Sequence, residues 1–188
     1  MERCCFESSA TRLMATIGVG ELFDRFHDKE RFFELCRQCP NFGRSYLCPP
    51  LPEGAIERLE ACDVAEIHVA KITPVEPRLP ASVAQDVMLP HIIDLEASLI
   101  EAERRRGGIA CGFGGKCRYC NPANCARLSG APCRRADVVR PSLEAYGFDV
   151  GAIVRHLFGI EMLWGRDNLL PEYLLLVGAF FKSRSDKS

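Results

Sequence analysis

The sequence lacks a strong charge of either sign, because its 24 Lys and Arg residues are balanced by 25 Asp and Glu residues among 188. Without an excess of positive charge it has no field that would collect nucleic acid or membrane headgroups, so we expect neither partner. No apolar run approaches the roughly 20 residues that a membrane-spanning helix needs. The longest, residues 173–181, contains Gly178 and is typical of a strand.

A secretory signal is not expected either. The apolar stretch 13–19 is short, is interrupted by Thr16 and Gly18, and is not followed by a small-residue cleavage site. We therefore expect a cytoplasmic protein with reduced thiols. The length suits a single domain over residues 1–188, with a mobile polar tail at residues 182–188.

Apolar periodicity predicts helices that alternate with two continuous apolar strands. Asp28 and Asp149 are expected to cap helices, Pro90 to lie in the first turn of the longest helix, and Pro141 with Ser142 to open a short one. The pattern favours an α+β or mixed α/β fold, in which a small mixed sheet is covered by helices. The expected helices span residues 21–36 (with a new helix beginning after Asp28), 53–62, 90–106 and 150–159, and the expected strands span 64–73 and 173–181.

Cysteine is abundant, with 11 residues. An odd number cannot pair completely in disulfides, and a chain of this length can build a core without covalent staples. Seven of the cysteines fall in two Cys-rich loops, residues 36–50 and 111–134, which we predict to bind metal. The candidate ligands are Cys36, Cys39 and Cys48 in the first loop, spaced C-x2-C-x8-C, and Cys117, Cys120, Cys125 and Cys133 in the second, spaced C-x2-C-x4-C-x7-C.

A C-x2-C pair lets one turn direct two thiolates at the same centre, and the Gly, Asn and Pro residues of both loops favour such turns. The second loop is self-sufficient, because four thiolates suit either a tetrahedral zinc ion or a 4Fe-4S cluster. Its short, Pro-punctuated spacings lack the long gap of zinc ribbons, which favours iron. The first loop needs a fourth ligand, for which the candidates are Cys4, Cys5, Cys62 and Cys111, or else water, a substrate or a small thiol.

The second loop is also basic, since residues 116–140 contain six Lys or Arg residues and one Asp. Cations near a thiolate-bound cluster stabilise its negative charge and raise its reduction potential. An ordinary basic loop, or a docking site for an acidic redox partner or a phosphate, explains the same pattern equally well.

Several motifs together resemble the uncharacterised DUF2284 family of predicted metal-binding proteins, and the resemblance extends over residues 20–181. They are F-F-E-L-C-R-Q-C-P-N-F-G at 32–43, L-C-P-P at 47–50, C-R-Y-C at 117–120, P-C-R at 132–134 and R-P-S-L-E-A-Y-G-F-D-V at 140–150. The resemblance implies a cytosolic metal or iron–sulfur protein, often from anaerobic organisms, with the same seven cysteines as ligands and no established reaction. Two departures are Tyr46-Leu47 before Cys48, where the family commonly has Trp and Ser, and a longer gap between Cys120 and Cys125.

These observations favour a protein that carries one or two 4Fe-4S clusters. It would exchange electrons with a redox partner protein or carry out redox chemistry at the three-cysteine site. The alternative is a zinc protein in which the zinc-bound Cys loops stabilise the fold and the helix-covered sheet presents a binding surface. A third hypothesis is an enzyme that acts on a small molecule at the incomplete site.

Overall fold

The computed structural model describes residues 6–183, and within that part of the chain five α-helices surround a four-stranded sheet. Short 3-10 turns occupy the connections, including Glu144–Tyr146 between the second Cys loop and the last helix. The elements are, in chain order, β1 (Ser8–Gly18), α1 (Val19–Phe26), α2 (Lys29–Arg37), α3 (Ala55–Glu60), β2 (Val64–Pro74), α4 (Ala84–Arg106), β3 (Ile109–Cys111), α5 (Val150–Phe158) and β4 (Leu174–Lys182).

The strand order is β1-β2-β4-β3, and every pairing in this sheet is antiparallel. β2 pairs with β4 from Val64 opposite Lys182 to Ile72 opposite Leu174. The α+β class is therefore confirmed, whereas the expected mixture of parallel and antiparallel strands was wrong. A continuous apolar run shows that a strand is buried on both faces, but it carries no information about strand direction.

Helices cover both faces of the sheet, as expected. Successive side chains of a strand point to opposite faces, so β2 contributes to two cores. Ala65, Ile67 and Val69 pack with residues of α1, α3 and α5, whereas Ala70 and Ile72 pack with residues of α4 on the other side. This double burial is the physical reason that β4 lacks an alternating polar face, whereas β2 carries Glu66 and His68 on the same face as the buried Ala70 and Ile72.

Four elements depart from the sequence-based prediction. α4 begins at Ala84, so Pro90 lies inside the helix rather than in its first turn. A proline there removes one backbone hydrogen bond, which a long helix packed on a sheet tolerates. β1 and β3 were not predicted: β1 is an edge strand with alternating polar residues, and β3 has only three residues. Lys182 ends β4 instead of starting a tail, and residues 184–188 of that predicted tail lie outside the described residues.

The predicted caps are present and help to place the first Cys loop. The Asp28 side chain accepts a hydrogen bond from the Arg31 N–H at 3.0 Å, and α2 then runs to Arg37 with Cys36 in its last turn. The Asp28 N–H donates to the Gly147 carbonyl at 2.9 Å, so α2 lies against the turn Glu144–Tyr146. A Cβ at Gly147 would lie 2.8 Å from the Lys29 Cα, and its φ is +99°, so this close approach requires glycine.

A second contact fixes the other side of the same turn. The Gly112 N–H donates to the Pro141 carbonyl at 2.9 Å, and Gly112 and Ser142 form a parallel bridge. Asp149, as predicted, accepts from the Ala152 N–H at 2.9 Å and caps α5. The residues around Glu144 are thus held between α2, the segment after β3, and α5.

Among residues 6–183, no helix combines the length and the apolar character that crossing a membrane requires.

Candidate metal centres

The three candidate thiols of the first loop line one cavity of about 160 Å³. Consecutive turns bring them together: the Cys39 N–H donates to the Cys36 carbonyl at 3.0 Å, and the Cys48 N–H donates to the Ser45 carbonyl at 3.1 Å. Cys36 and Cys48 are half-buried and Cys39 is exposed. Local turns therefore bring the three thiols of the C-x2-C-x8-C motif to the wall of the same cavity.

A carboxyl group shares this cavity. Glu144 lines its wall together with Ser142, Gly114 and Gly115. Burial raises the pKa of Cys36, and the nearby Cys48, Glu144 and Cys39 groups raise it further, because each places negative charge beside the thiolate. Burial also raises the pKa of Glu144. Sequence reasoning missed Glu144, and no metal-ligand spacing links it to the cysteines.

The other cysteines considered for the fourth position lie elsewhere or are not described. Cys111 is fully buried in the core beneath α1, α3 and α5, where burial raises the pKa of its thiol. The Cys62 thiol, at the end of α3, donates to the Arg58 carbonyl at 3.5 Å. Neither belongs to the wall of the three-thiol cavity. Cys4 and Cys5 lie outside the described residues.

The four candidate thiols of the second loop line a larger cavity of about 450 Å³. Two 3-10 turns shape this loop: the Asn121 side chain caps the first by accepting from the Ala123 N–H at 3.0 Å, and the second ends at Gly130 with φ +70°. Burial raises the pKa of Cys117, a hydrogen bond with the Tyr119 backbone opposes this, and the other three thiols of the loop raise it further. All four thiols are half-buried.

The two Cys loops are joined to each other. The Arg127 guanidinium of the second loop donates to three carbonyls of the first, those of Ser45 and Cys48 at 3.1 Å and that of Pro50 at 2.7 Å. It also lies 5.4 Å from the centre of the Tyr46 ring, whose hydroxyl donates to the Ala131 carbonyl. The two loops therefore form one unit, a relation that neither spacing nor composition could show.

The cavities also share walls. Asn41 and Gly115 line both the three-thiol cavity and the four-thiol cavity. The two candidate centres are therefore neighbours within one molecule. A third, apolar cleft of about 690 Å³ adjoins the three-thiol cavity, and Cys39 and Glu144 belong to its wall. Its apolar lining includes Met88, Phe113, Met162, Trp164, Leu170 and Leu174.

Much of the positive charge near the second loop is used in internal contacts. Arg118 pairs with the buried Glu96, and Arg140 pairs with Glu103 at 2.6 Å. Arg127 binds the carbonyls of the first loop. Lys116 and Arg134, with Arg44 from the first loop, do line the four-thiol cavity. The predicted stabilisation of a negatively charged cluster therefore depends on these three cations rather than on the full basic excess.

The donor chemistry fits a soft metal or an iron–sulfur cluster, because each cavity gathers several thiols and the nine described cysteines are all free. Within residues 6–183, however, no three His, Cys, Asp or Glu side chains are drawn together closely enough to hold a single metal ion. The thiols of each loop thus face a common space without closing around one point.

A family model described as "Predicted metal-binding protein (DUF2284)" matches residues 24–178, which include all seven thiols of the two cavities. This confirms the resemblance seen in the Cys motifs. Neither the search of curated proteins nor the search of solved structures found a match.

Proposed function

Because the chain belongs to DUF2284, a family of predicted metal-binding proteins, we propose that it carries two 4Fe-4S clusters and acts in electron transfer or redox chemistry. Cys117, Cys120, Cys125 and Cys133 would hold one cluster, and Cys36, Cys39 and Cys48 would hold most of the other. The observation that carries the proposal is the convergence of these thiols on two separate cavities.

The proximity of the two cavities supports electron transfer. Each iron of a cubane cluster takes one terminal thiolate, so four thiols around one roomy cavity suit such a cluster. Shared wall residues would place two clusters side by side, where an electron passes readily from one to the other. A structural zinc site gains nothing from such a neighbour, since zinc has no redox chemistry.

The surroundings of the four-thiol cavity also suit a cluster. A cluster with four thiolates carries net negative charge, and the cations Arg44, Lys116 and Arg134 at the cavity wall would offset it. The proposal includes a redox partner protein and a reducing compartment, the cytoplasm, in which free thiols persist. The apolar cleft beside Cys39 supports the variant of the proposal in which redox chemistry takes place at the three-thiol site.

Metal and sulfide analysis of anaerobically purified protein tests the proposal. We expect a brown protein with broad visible absorption, iron and acid-labile sulfide. Cys117→Ser should lose iron and sulfide, whereas the matched control Cys62→Ser should keep them, because Cys62 is half-buried like the candidate ligands but lies outside both cavities. A colourless protein with stoichiometric zinc and no sulfide, made in iron-sufficient cells, would overturn the proposal and select the zinc alternative.

A further inference from the structure

The three-thiol cavity supplies one ligand fewer than a 4Fe-4S cluster needs. A 4Fe-4S cluster has four irons, each of which takes a ligand from outside the cluster, and this cavity supplies three thiols. Cys62 and Cys111 are engaged elsewhere in the fold, so neither supplies the fourth ligand without rearrangement. The wall of the cavity itself contains one further strong metal-binding group among the described residues, the carboxyl of Glu144.

We propose that the Glu144 carboxylate is the fourth protein ligand of the centre held by Cys36, Cys39 and Cys48. This inference rests on the proposed function. It names the residue that completes the first site and gives that site a mixed set of three sulfur ligands and one oxygen ligand.

The fold holds Glu144 in a fixed position. Glu144 begins a 3-10 turn whose backbone is fixed on both sides, by the Asp28–Gly147 hydrogen bond to α2 and by the bridge between Gly112 and Ser142. Since α2 also carries Cys36, the same packing that holds the turn holds the thiol beside it. The glutamate is therefore directed at the cavity by the fold rather than by a flexible loop.

The charge of Glu144 is not compensated by a salt bridge within the described part of the chain. Glu144 is half-buried, and no Lys, Arg or His among residues 6–183 forms a salt bridge with it. The Ser142 side chain, whose oxygen accepts a hydrogen bond from the Ala145 N–H at 3.4 Å, lines the same cavity wall. Burying a carboxylate without a cation is unfavourable, and proteins normally compensate such a group with a partner or a metal. An iron in the cavity would supply the missing positive charge.

Glu144 is accessible from a second cavity. Glu144 also lines the apolar cleft of about 690 Å³. A carboxylate is a harder ligand than a thiolate and suits iron less closely, so it exchanges more readily. The iron bound by Glu144 would be the one that faces the cleft, and a molecule in the cleft would reach it by displacing the carboxylate.

The test uses the full chain, purified without oxygen and then oxidised mildly. Oxidised 4Fe-4S clusters give no electron paramagnetic resonance signal, whereas a 3Fe-4S cluster does. We expect no such signal from the unaltered chain and a signal stoichiometric with the chain from Glu144→Gln, with a matching loss of iron but not of sulfide. Glu53→Gln is the control, because Glu53 is exposed and lies outside the thiol cavity.

Several results would overturn the assignment. An unchanged iron content and a silent spectrum in Glu144→Gln would exclude Glu144 as a ligand. A 3Fe-4S signal in Cys4→Ser or Cys5→Ser, but not in Glu144→Gln, would assign the position to that cysteine. If Glu144→Gln does not fold, Glu144→Ala serves instead, and added acetate with ferrous iron and a one-electron reductant should rebuild the 4Fe-4S cluster, so that the signal is absent once excess reductant is removed; failure of that rescue would count against the ligand role.

A separate variant distinguishes this inference from the proposed function. Cys36→Ser should lose iron and sulfide from the first site. If Cys36→Ser keeps the full iron content of the unaltered chain, there is no cluster at the first loop, and the proposed function fails there. If Cys36→Ser loses iron while Glu144→Gln does not, only the assignment of Glu144 is wrong.

Discussion

Glu66 is a buried acid whose charge is compensated inside the protein. It is 7% exposed and lies in β2. The Arg106 guanidinium donates to its two carboxylate oxygens at 2.9 and 2.5 Å, and the Lys182 ammonium lies 2.8 Å from it. These contacts lower the pKa of Glu66 from 4.5 to about 2, although burial opposes the shift. The cluster ties the end of α4 to the two central strands.

This arrangement predicts an acid-dependent loss of stability. Because the pKa of Glu66 is lower in the folded chain than in the unfolded chain, its stabilising effect is complete above pH 4.5 and disappears as the pH falls towards 2. Linkage sets the loss at about 2–3 kcal/mol of the free energy of unfolding. Urea unfolding between pH 6 and about 2 should show a flatter pH dependence for Glu66→Gln, and no flattening for the exposed control Glu60→Gln. If the free energy of unfolding changes equally with pH in the unaltered chain, Glu66→Gln and Glu60→Gln, the prediction is contradicted.

The cysteines differ sharply in accessibility, which predicts an order of chemical modification. Cys39 is exposed, whereas Cys111 is fully buried and its pKa is raised by burial. Alkylation requires both access and a thiolate, so among the nine cysteines within residues 6–183 iodoacetamide should modify Cys39 first and Cys111 last in folded, metal-free protein. Peptide mass spectrometry over time measures the order. Addition of urea should abolish the difference, and modification of both residues at one rate in the folded protein would refute it.

At the scale of elements, the important feature is the connection between the two Cys loops. Arg127 binds three carbonyls of the first loop from its place in the second. Only the planar guanidinium presents several donors in a fixed geometry, so lysine cannot replace it fully. Because of this connection, the folded conformation of one loop depends on that of the other, even though their cysteines belong to separate cavities.

Substitution of this arginine tests the dependence. Arg127→Lys leaves every candidate ligand in place, yet it should destabilise the chain by about 1–3 kcal/mol through the lost charge-assisted hydrogen bonds. It should also speed the release of metal from the first loop to a chelator. Thermal denaturation and chelator kinetics measure the two effects. The control is Arg135→Lys, whose guanidinium pairs with Asp137 in its own segment at 3.2 Å; equal release rates from the two variants would contradict the prediction.

Local sequence signals were sufficient to predict two helix caps but not the start of the longest helix. Asp28 and Asp149 were predicted to cap helices and do so, because a cap is formed by a side chain and the N–H groups that follow it. Pro90 misled the prediction, since the helix that contains it begins six residues earlier and is held on the sheet by Val87 and Leu95. Packing of that apolar stripe outweighs the local preference of proline for a first turn.

At the scale of the whole molecule, the apolar cores lie on the two faces of the sheet, and the parts of the Cys loops that carry the candidate thiols, residues 36–50 and 117–134, lie outside them. Of the seven candidate ligands, none belongs to the buried cores. The loops therefore gain little stability from apolar burial, and metal binding is expected to supply much of their folding free energy. In small structural zinc domains this coupling amounts to about 10–16 kcal/mol.

Loss of a metal ligand in the second Cys loop should destabilise that loop and leave the central strands folded. Cys133→Ser should lower the free energy of unfolding by several kcal/mol, because a ligand of a metal coupled to folding is removed. Hydrogen exchange should show the loss in residues 117–135, while the central strands β2 and β4 stay protected. Cys62→Ser serves as the control. Equal melting temperatures for the unaltered chain and Cys133→Ser, with metal loaded in both, would contradict the prediction.

By itself the sequence determined the composition of both Cys loops, the capped helices and the two central strands. These features depend on residues close together in the chain: one turn brings the thiols of a C-x2-C pair together, and one side chain caps a helix. The same is true of the family, because its motifs are short and local.

Only the tertiary structure decided the antiparallel strand order, the sharing of wall residues by the two cavities, the link from Arg127 to the first loop and the presence of Glu144 beside Cys36. Each of these joins residues far apart in the chain. Whether such residues meet depends on how the helices and strands pack. The sequence around a residue does not identify the distant partner that it will contact.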